Sequence, residues 1–276
     1  MPRTSNSFTK KSYHILPALA VDVLPGQSPE TTLQAHIMCR VSRTGLIARY
    51  AGGESGARSA ARSGAAVVVV DAFRASTTIA VLVCRGARVV PVASIAHASS
   101  YAGADFRAGE RGSAKVAGFD FGNSPTEILE AEVPPGSTVV LSTTNGTRVI
   151  EASTGAPAIF TGAFVNARSL ADELATGTHG PNVVLVGCGW EGRRASEDEA
   201  AAGAILHRLD ERGARLDGRA RRVERAYLSR PPKLLRNNAA AKRLKRLGYA
   251  QDLDFCLAEN SVSVVPRLVS GAFVAG

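Results

Sequence analysis

The sequence has few cysteines, and none are paired. Cys39, Cys84, Cys188 and Cys256 are widely spaced with no Cys-x-x-Cys motif, which excludes a zinc site built on thiolate pairs and a disulfide scaffold. Cys84 and Cys256 sit among apolar neighbours and read as buried, inert thiols. Also missing is any uninterrupted apolar run of about 18 residues, so no membrane-spanning helix is predicted. The apolar stretch 15–21 follows Lys10 and Lys11, but it is broken by Pro17 and ends at Asp22. That is too weak for a secretory signal, and the expectation is a cytoplasmic protein with no membrane partner. Residues 1–45 lack periodicity and are rich in Ser, Thr and Pro, which reads as a poorly ordered arm; Met38 is an alternative start. No internal repeat is evident.

What is present fits a globular chain with a substantial core: 45% hydrophobic and 21% charged residues over 276 positions, enough for one large α/β domain or two small ones. The formal net charge of +9 is local. Residues 207–247 hold 14 Lys+Arg against 4 Asp+Glu, and the rest of the chain carries 19 basic and 20 acidic residues. The basic segment includes Arg219, Arg221, Arg222, Lys242, Arg243, Lys245 and Arg246, with almost no aromatic residues between them. It reads as a solvated helical face more readily than as a nucleic-acid patch, because nothing in it supplies a base-stacking platform.

Short β-branched runs recur at Val67–Val70, Val89–Val92, Val139–Leu141, Ile159–Phe160 and Val183–Val186. Helix-like stretches lie between them at Thr77–Cys84, Thr147–Ser153, Ala167–Leu174 and Glu197–Leu209. Strands alternating with helices predict an α/β fold with a largely parallel sheet flanked by helices, a three-layer α/β/α arrangement over residues 46–276, in one unit or two subdomains. Ligands of such sheets bind beyond the carboxyl ends of the strands, so the polar segments after each run are the candidate site.

"STTNGT" (142–147) combines small hydroxyl and amide groups with a glycine before a helix. It reads as an oxyanion-binding corner or as a turn with Thr147 as cap. "DAFRAST" (71–77) places an acid, an arginine and two hydroxyls at a strand end; it reads as a cation and phosphate site, or as an Asp71–Arg74 ion pair with Ser76 as cap. Residues 109–127 look neither helical nor strand-like and hold Glu110, Arg111, Asp120, Asn123, Ser124 and Glu127. Carboxylates anchored there suit a hard cation, while Ser124 with Glu127 resembles a capping box. In "GCGWEGRRASEDE" (187–199), Ser196 with Glu199 again resembles a capping box, which accounts for Glu197 and Asp198 as first-turn acids. Cys188 and Arg194 have cysteine-phosphatase spacing, but Glu191 inside that loop would repel phosphate. Gly187, Gly189 and Gly192 match a dinucleotide fingerprint formally, yet late in the chain and without the expected following strand and acid.

In this order, "VVVVDAFRASTTIA", "GERGSAKVAGFDFGNSPTE", "STTNGTR", "GAFVNARSLA" and "GWEGRRASEDEAAAGAI" resemble the 2-phosphosulfolactate phosphatase family, over roughly residues 64–276. The resemblance implies an α/β/α fold and Mg2+-dependent hydrolysis of the phosphate monoester of a 2-hydroxy acid, with 3-sulfolactate, a coenzyme M precursor, as the family's named product. It implies Asp71, Arg74, Glu110 and Asp198 as catalytic residues, and Asp71, Glu110, Asp120 and Asp198 as Mg2+ ligands. Ser76, Thr77, Arg111, Thr143, Thr144, Asn145, Gly146, Thr147 and Asn166 would bind substrate. No Asp-x-Asp pattern follows Asp71, so metal-activated water is favoured over an aspartyl-phosphate. The partner expected is a small anionic phosphate ester, with a homo-oligomer open. Ser113 departs from the family's loop, which usually has a second glycine there, and the first 45 residues have no counterpart.

Overall fold

The computed structural model describes residues 45–276; the predicted arm, the alternative start at Met38 and Cys39 lie outside the described residues. In chain order the strands are β1 (Ile47–Gly52), β2 (Ala66–Val70), β3 (Arg88–Pro91), β4 (Phe106–Arg111), β5 (Ala114–Lys115), β6 (Thr138–Ser142), β7 (Ile159–Gly162), β8 (Asn182–Gly187), β9 (Arg215–Leu216), β10 (Pro266–Val269) and β11 (Ala272–Ala275). The helices are α1 (Gly53–Arg62), α2 (Ala75–Cys84), α3 (Ile95–Ser100), α4 (Pro125–Glu130), α5 (Gly146–Ala152), α6 (Ala167–Ala175), α7 (Ser196–Glu211), α8 (Gly218–Ser229), α9 (Ala239–Arg246) and α10 (Ala250–Cys256).

β2 is apolar at every position because both of its faces are covered. Val67 and Val69 enter a core with Ala57 and Ala60 of α1, Ile79 and Leu82 of α2, and Val149 and Ile150 of α5. Ala66, Val68 and Val70 point the other way, against Leu170 and Leu174 of α6, Ile205 and Leu209 of α7, and Val223 of α8. This is the three-layer α/β/α arrangement the alternation of strands and helices predicts. α2 is buried from Ala75 to Val83, and it is apolar nearly all round because packing surrounds it.

The strand order is β5-β4-β6-β3-β11-β10-β7-β2-β8-β1-β9. It contains two parallel groups: β4, β6 and β3 in one, β7, β2, β8, β1 and β9 in the other. The antiparallel hairpin β10–β11 joins them. Each junction rests on one residue pair, Phe273 with Val89 on one side and Arg267 with Phe160 on the other, so the two groups need not share one plane.

Three local expectations are corrected. Gly109, Glu110 and Arg111 form the end of β4, and residues 112 and 113 turn the chain into β5 with φ of +59° and +73°, the pairing of positive φ values that a two-residue hairpin turn uses. Ser124 does cap α4, accepting from the Glu127 N–H at 3.2 Å; Ser196 caps nothing, because α7 starts from Ala195 without a side-chain cap. Cys84 is exposed rather than buried. Among the described residues, no helix is long and apolar enough to cross a membrane.

Candidate active site

The carboxyl ends of β2, β4, β6 and β8 deliver their loops to one cleft. It is lined by Asp71, Glu110, Glu197 and Asp198, by Arg74 and Arg243, and by Phe73, Ser113, Asn123, Asn145, Gly189 and Trp190. Both parallel groups contribute: Asp71 and Asp198 come from one, Glu110 and Asn145 from the other.

Backbone donors fix the carboxylates. Asp198, in the first turn of α7, accepts the Ala72 N–H at 2.9 Å on one oxygen and the Gly189 N–H at 2.8 Å on the other, tying together the loops after β2 and β8. Glu110 does the same across the other group, accepting the Thr144 and Ser113 N–H groups at 2.6 Å each. Asp71 is held more loosely. Its Oδ1 accepts the Ala75 N–H at 3.3 Å, and its Oδ2 lies 2.9 Å from where a Cβ on residue 146 would stand. Only glycine gives the carboxylate that space.

Burial sets the electrostatics. It pushes the Asp71 carboxyl up to about 7, helped by the Glu110 charge. Asp198 is raised well above the carboxylate range by burial, then by Asp71 and Glu197, and burial also raises Glu197. Closely placed acids of this kind titrate as a set, and without a cation they retain at least one proton near neutrality.

The two cations of the cleft are in different situations. Arg74 is 2% exposed. It pairs with Asp252 at 2.6 Å, donates to the Ser113 carbonyl at 2.8 Å, and lies over the Tyr249 ring. It pairs with Asp252, so the alternative reading of an Asp71–Arg74 ion pair does not hold, and its charge is already matched within the protein. Arg243, from the basic segment, donates its Nε to Ser113 Oγ at 2.9 Å and lies 3.6 Å above the Trp190 ring. Asp252 also accepts from Ser124 Oγ and Thr126 Oγ1, so it organises the wall beneath Arg74.

Several predicted residues are nearby but occupied. Ser76 Oγ accepts the Asp71 N–H at 2.9 Å and meets Thr161 Oγ1 at 2.6 Å. Thr77 Oγ1 donates to the Ala72 carbonyl, while Thr143 and Thr147 satisfy each other. These hydroxyls brace the loops and do not line the cleft. Within "STTNGT", Asn145 faces the cleft and Thr144 contributes its N–H to Glu110, so the corner mainly shapes the acid cluster. Arg111 is turned toward Ser142 and backbone carbonyls. Asn166 holds the chain after β7 to Val264 and Ala163. Asp120 is exposed and accepts the Arg107 N–H at 2.7 Å; it is not with the other three proposed metal ligands.

Asn123, Glu197, Trp190, Ser113 and Arg243 line the cleft and stand outside the predicted site set. The basic run concealed Arg243, and much of the remaining charge there is met locally: Arg221 pairs with Asp210 and Glu224, Arg212 with Asp172, and Arg236 with Asp254. The cysteine-phosphatase spacing has no structural counterpart. Burial, with Asp71 and Asp198 beside it, pushes the Cys188 thiol far up, and Arg194 points outward to Glu199. A thiolate nucleophile needs the opposite surroundings. The glycines of the formal dinucleotide fingerprint are explained by packing: a Cβ on Gly187 would reach the Tyr50 hydroxyl at 2.4 Å, and one on Gly189 the Arg193 carbonyl at 2.3 Å. The Gly189 N–H is already taken by Asp198.

A family model described as 2-phosphosulpholactate phosphatase matches residues 55–271. Proteins named "Probable 2-phosphosulfolactate phosphatase" are similar to this chain. One from Synechocystis sp. is 37% identical over 215 residues, 74% of this chain and 88% of its own length. One from Synechococcus sp. is 40% identical over 220 residues, covering 75% and 90%, and one from Carboxydothermus hydrogenoformans is 38% identical over 209 residues, covering 73% and 85%. With an α/β/α fold, a family match across the whole acid cleft and relatives aligned over most of their length, the chain belongs to the 2-phosphosulpholactate phosphatase family, a family of phosphoric monoester hydrolases.

Proposed function

We propose that the protein is a Mg2+-dependent phosphatase acting on the phosphate monoester of a 2-hydroxy acid, best fitted by 2-phosphosulfolactate, releasing 3-sulfolactate and phosphate. The observation that carries this reading is the convergence of Asp71, Glu110 and Asp198 from three strand ends in one cleft, with a cation, Arg243, whose charge the cleft leaves available. Phosphate monoester hydrolysis is very slow without catalysis, and its loose transition state is helped chiefly by positioning and positive charge.

The donor set fits magnesium. Among the described residues, no three His, Cys, Asp or Glu side chains are grouped to hold an ion by themselves. Mg2+ does not require that, since it binds through one or two carboxylates and completes its shell with phosphate oxygens and water. Asp71 is the first ligand by this argument, because its Oδ2 accepts no hydrogen bond among the described residues and its charge is opposed by Glu110; Glu110 and Asp198 each keep lone pairs beyond the backbone bonds. When bound, the ion would neutralise phosphoryl charge and acidify a water. The chain's own contributions are then separable. Backbone donors orient Glu110 and Asp198. Asp71, as the ligand, gives up its proton when the ion binds, which leaves Asp198 beside it to accept a proton from the attacking water as the phosphorus–ester oxygen bond breaks. Asp198 can then pass that proton on to the departing 2-hydroxyl oxygen.

The direct test is phosphate release from 2-phosphosulfolactate, 2-phospholactate and an aryl phosphate, with Mg2+ and with a chelator. Chelator-sensitive turnover favouring 2-phosphosulfolactate is expected. Equal turnover of all three would leave the chemistry and discard the named substrate. Absence of turnover with every ester would reject the reading.

A further inference from the structure

Two polar side chains of the cleft have hydrogen-bonding groups that no other described residue meets. Asn123 is 4% exposed and lines the cleft. Its Oδ1 is a buried acceptor that no donor meets among the described residues. A buried polar group left unmet is costly, and such groups are rare in folded proteins without a reason. Arg243 enters the same cleft from α9. Its Nε is engaged by Ser113 and its face by Trp190, while its two terminal nitrogens make neither a hydrogen bond nor an ion pair among the described residues. One edge and one face of the guanidinium are fixed, and the fork is left open. Arg74, with its nitrogens on Asp252 and Ser113, offers no such fork.

Among the described residues, none of the cleft carboxylates accepts a hydrogen bond from the Arg243 fork; Glu110 and Asp198 are oriented by backbone N–H groups instead. The open guanidinium fork suits a group with only acceptors, a carboxylate or a sulfonate, and the Asn123 amide, bound at neither end to a described residue, can turn its N–H2 toward the same group. We infer that Arg243 and Asn123 together bind the anionic group of the substrate that is not hydrolysed, and so set its specificity. This rests on the phosphatase reading above. It also gives Ser113 a use. A glycine would adopt the φ of +73° with less strain, but it would leave Arg243 Nε without its acceptor.

The experiment compares the full chain with Arg243→Gln, Arg243→Lys and Asn123→Ala. Turnover is measured on 2-phosphosulfolactate, on 2-phospholactate (carboxylate alone), on the phosphate ester of 2-hydroxyethanesulfonate (sulfonate alone) and on an aryl phosphate. Calorimetric binding of 3-sulfolactate and of inorganic phosphate is measured alongside. Arg243→Gln is expected to weaken 3-sulfolactate binding on the order of 30-fold. It should raise KM for the esters with a second anionic group at least tenfold more than for the aryl phosphate. Arg243→Lys, which keeps the charge and the contact with Trp190 but not the fork, should recover part of the loss, and Asn123→Ala should show a smaller loss of the same pattern. Comparing the two single-anion esters identifies which group is held. Unchanged 3-sulfolactate binding in both Arg243→Gln and Asn123→Ala would overturn the inference. So would equal kcat losses on all esters, which would place Arg243 on the phosphoryl group. If no ester is hydrolysed while 3-sulfolactate still binds through these residues, the subsite stands and the hydrolytic reading falls.

Discussion

At the scale of single residues, Asp71 carries the clearest pH signature. Its carboxyl is pushed up to about 7, against about 3.9 in an unfolded chain. The folded protein therefore holds this proton more tightly, and the contribution of Asp71 to stability is most favourable below about pH 4. That contribution declines as the pH rises toward 7 and stays low above it. Asp71→Asn removes the penalty. Urea melts should show the variant more stable than the parent at pH 8, by up to about 4 kcal/mol, with no advantage at pH 4 and with phosphatase activity lost. Saturating Mg2+ should stabilise the parent at pH 8 and the variant much less, because a ligand that binds only the folded state adds stability in proportion to its affinity. A variant less stable than the parent at pH 8 without Mg2+ would refute the assignment. Asp71 stood out in the sequence because it is an acid directly behind the apolar run Val67–Val70, whereas Glu110 and Asp198 were singled out by the family resemblance of the segments that hold them. Asn123 and Arg243 were not. Asn123 is one polar residue among many in a glycine-rich stretch, Arg243 is one of 14 basic residues in its segment, and what distinguishes both is the partners they lack in three dimensions.

Among elements, β2, β3, β6, β7 and β8 announced themselves through unbroken apolar runs. β4 did not, because its last three residues are Gly109, Glu110 and Arg111. The structure explains the glycine: a Cβ there would meet the Ser142 carbonyl at 2.7 Å and the Phe119 ring at 3.1 Å. The capping box expected at Ser196 fails for a tertiary reason. Asn238 donates to Ser196 Oγ and to Glu197 at 2.7 Å, and Arg194 engages Glu199, so both members of the box are drawn elsewhere. The start of α5 supports a sharper prediction. Gly146 has a helical backbone that alanine would adopt with a gain of up to about 1 kcal/mol in intrinsic propensity. An added methyl, however, would press on Asp71 Oδ2 at 2.9 Å and on the Ala75 side chain at 3.1 Å. The carboxylate is the softer neighbour and should move. Gly146→Ala is expected to keep its Tm within a few degrees while kcat falls on the order of 100-fold, the scale of a catalytic group displaced by about an ångström. A loss of Tm without a selective loss of kcat would mean that the residue matters for packing alone.

For the whole molecule, the sequence left one unit or two subdomains open, and the strand order bears instead on how the site is assembled. Two parallel groups exist, but β10–β11 splices them into one sheet, and the cleft takes Asp71 and Asp198 from one group and Glu110 from the other. No apolar run or motif could have revealed that splice, since it depends on pairings between residues such as Phe273 and Val89, far apart in sequence. The active site should therefore be sensitive to the splice in a way that the core of either group is not. Phe273 is fully buried and reaches the core shared by α1, α2 and α5. Phe273→Ala should cost about 3–5 kcal/mol. Leu170→Ala, in the opposite core packed on α6, should cost a comparable 2–5 kcal/mol and serves as the control. In a urea series followed by circular dichroism and by phosphate release, the two signals should coincide for Leu170→Ala. For Phe273→Ala, activity should disappear at lower urea than secondary structure, because loosening the junction separates Glu110 from Asp71 before either group unfolds. Coincident curves for both variants would show that the two groups hold together without the hairpin's help, and that the cleft is as rigid as the cores behind it.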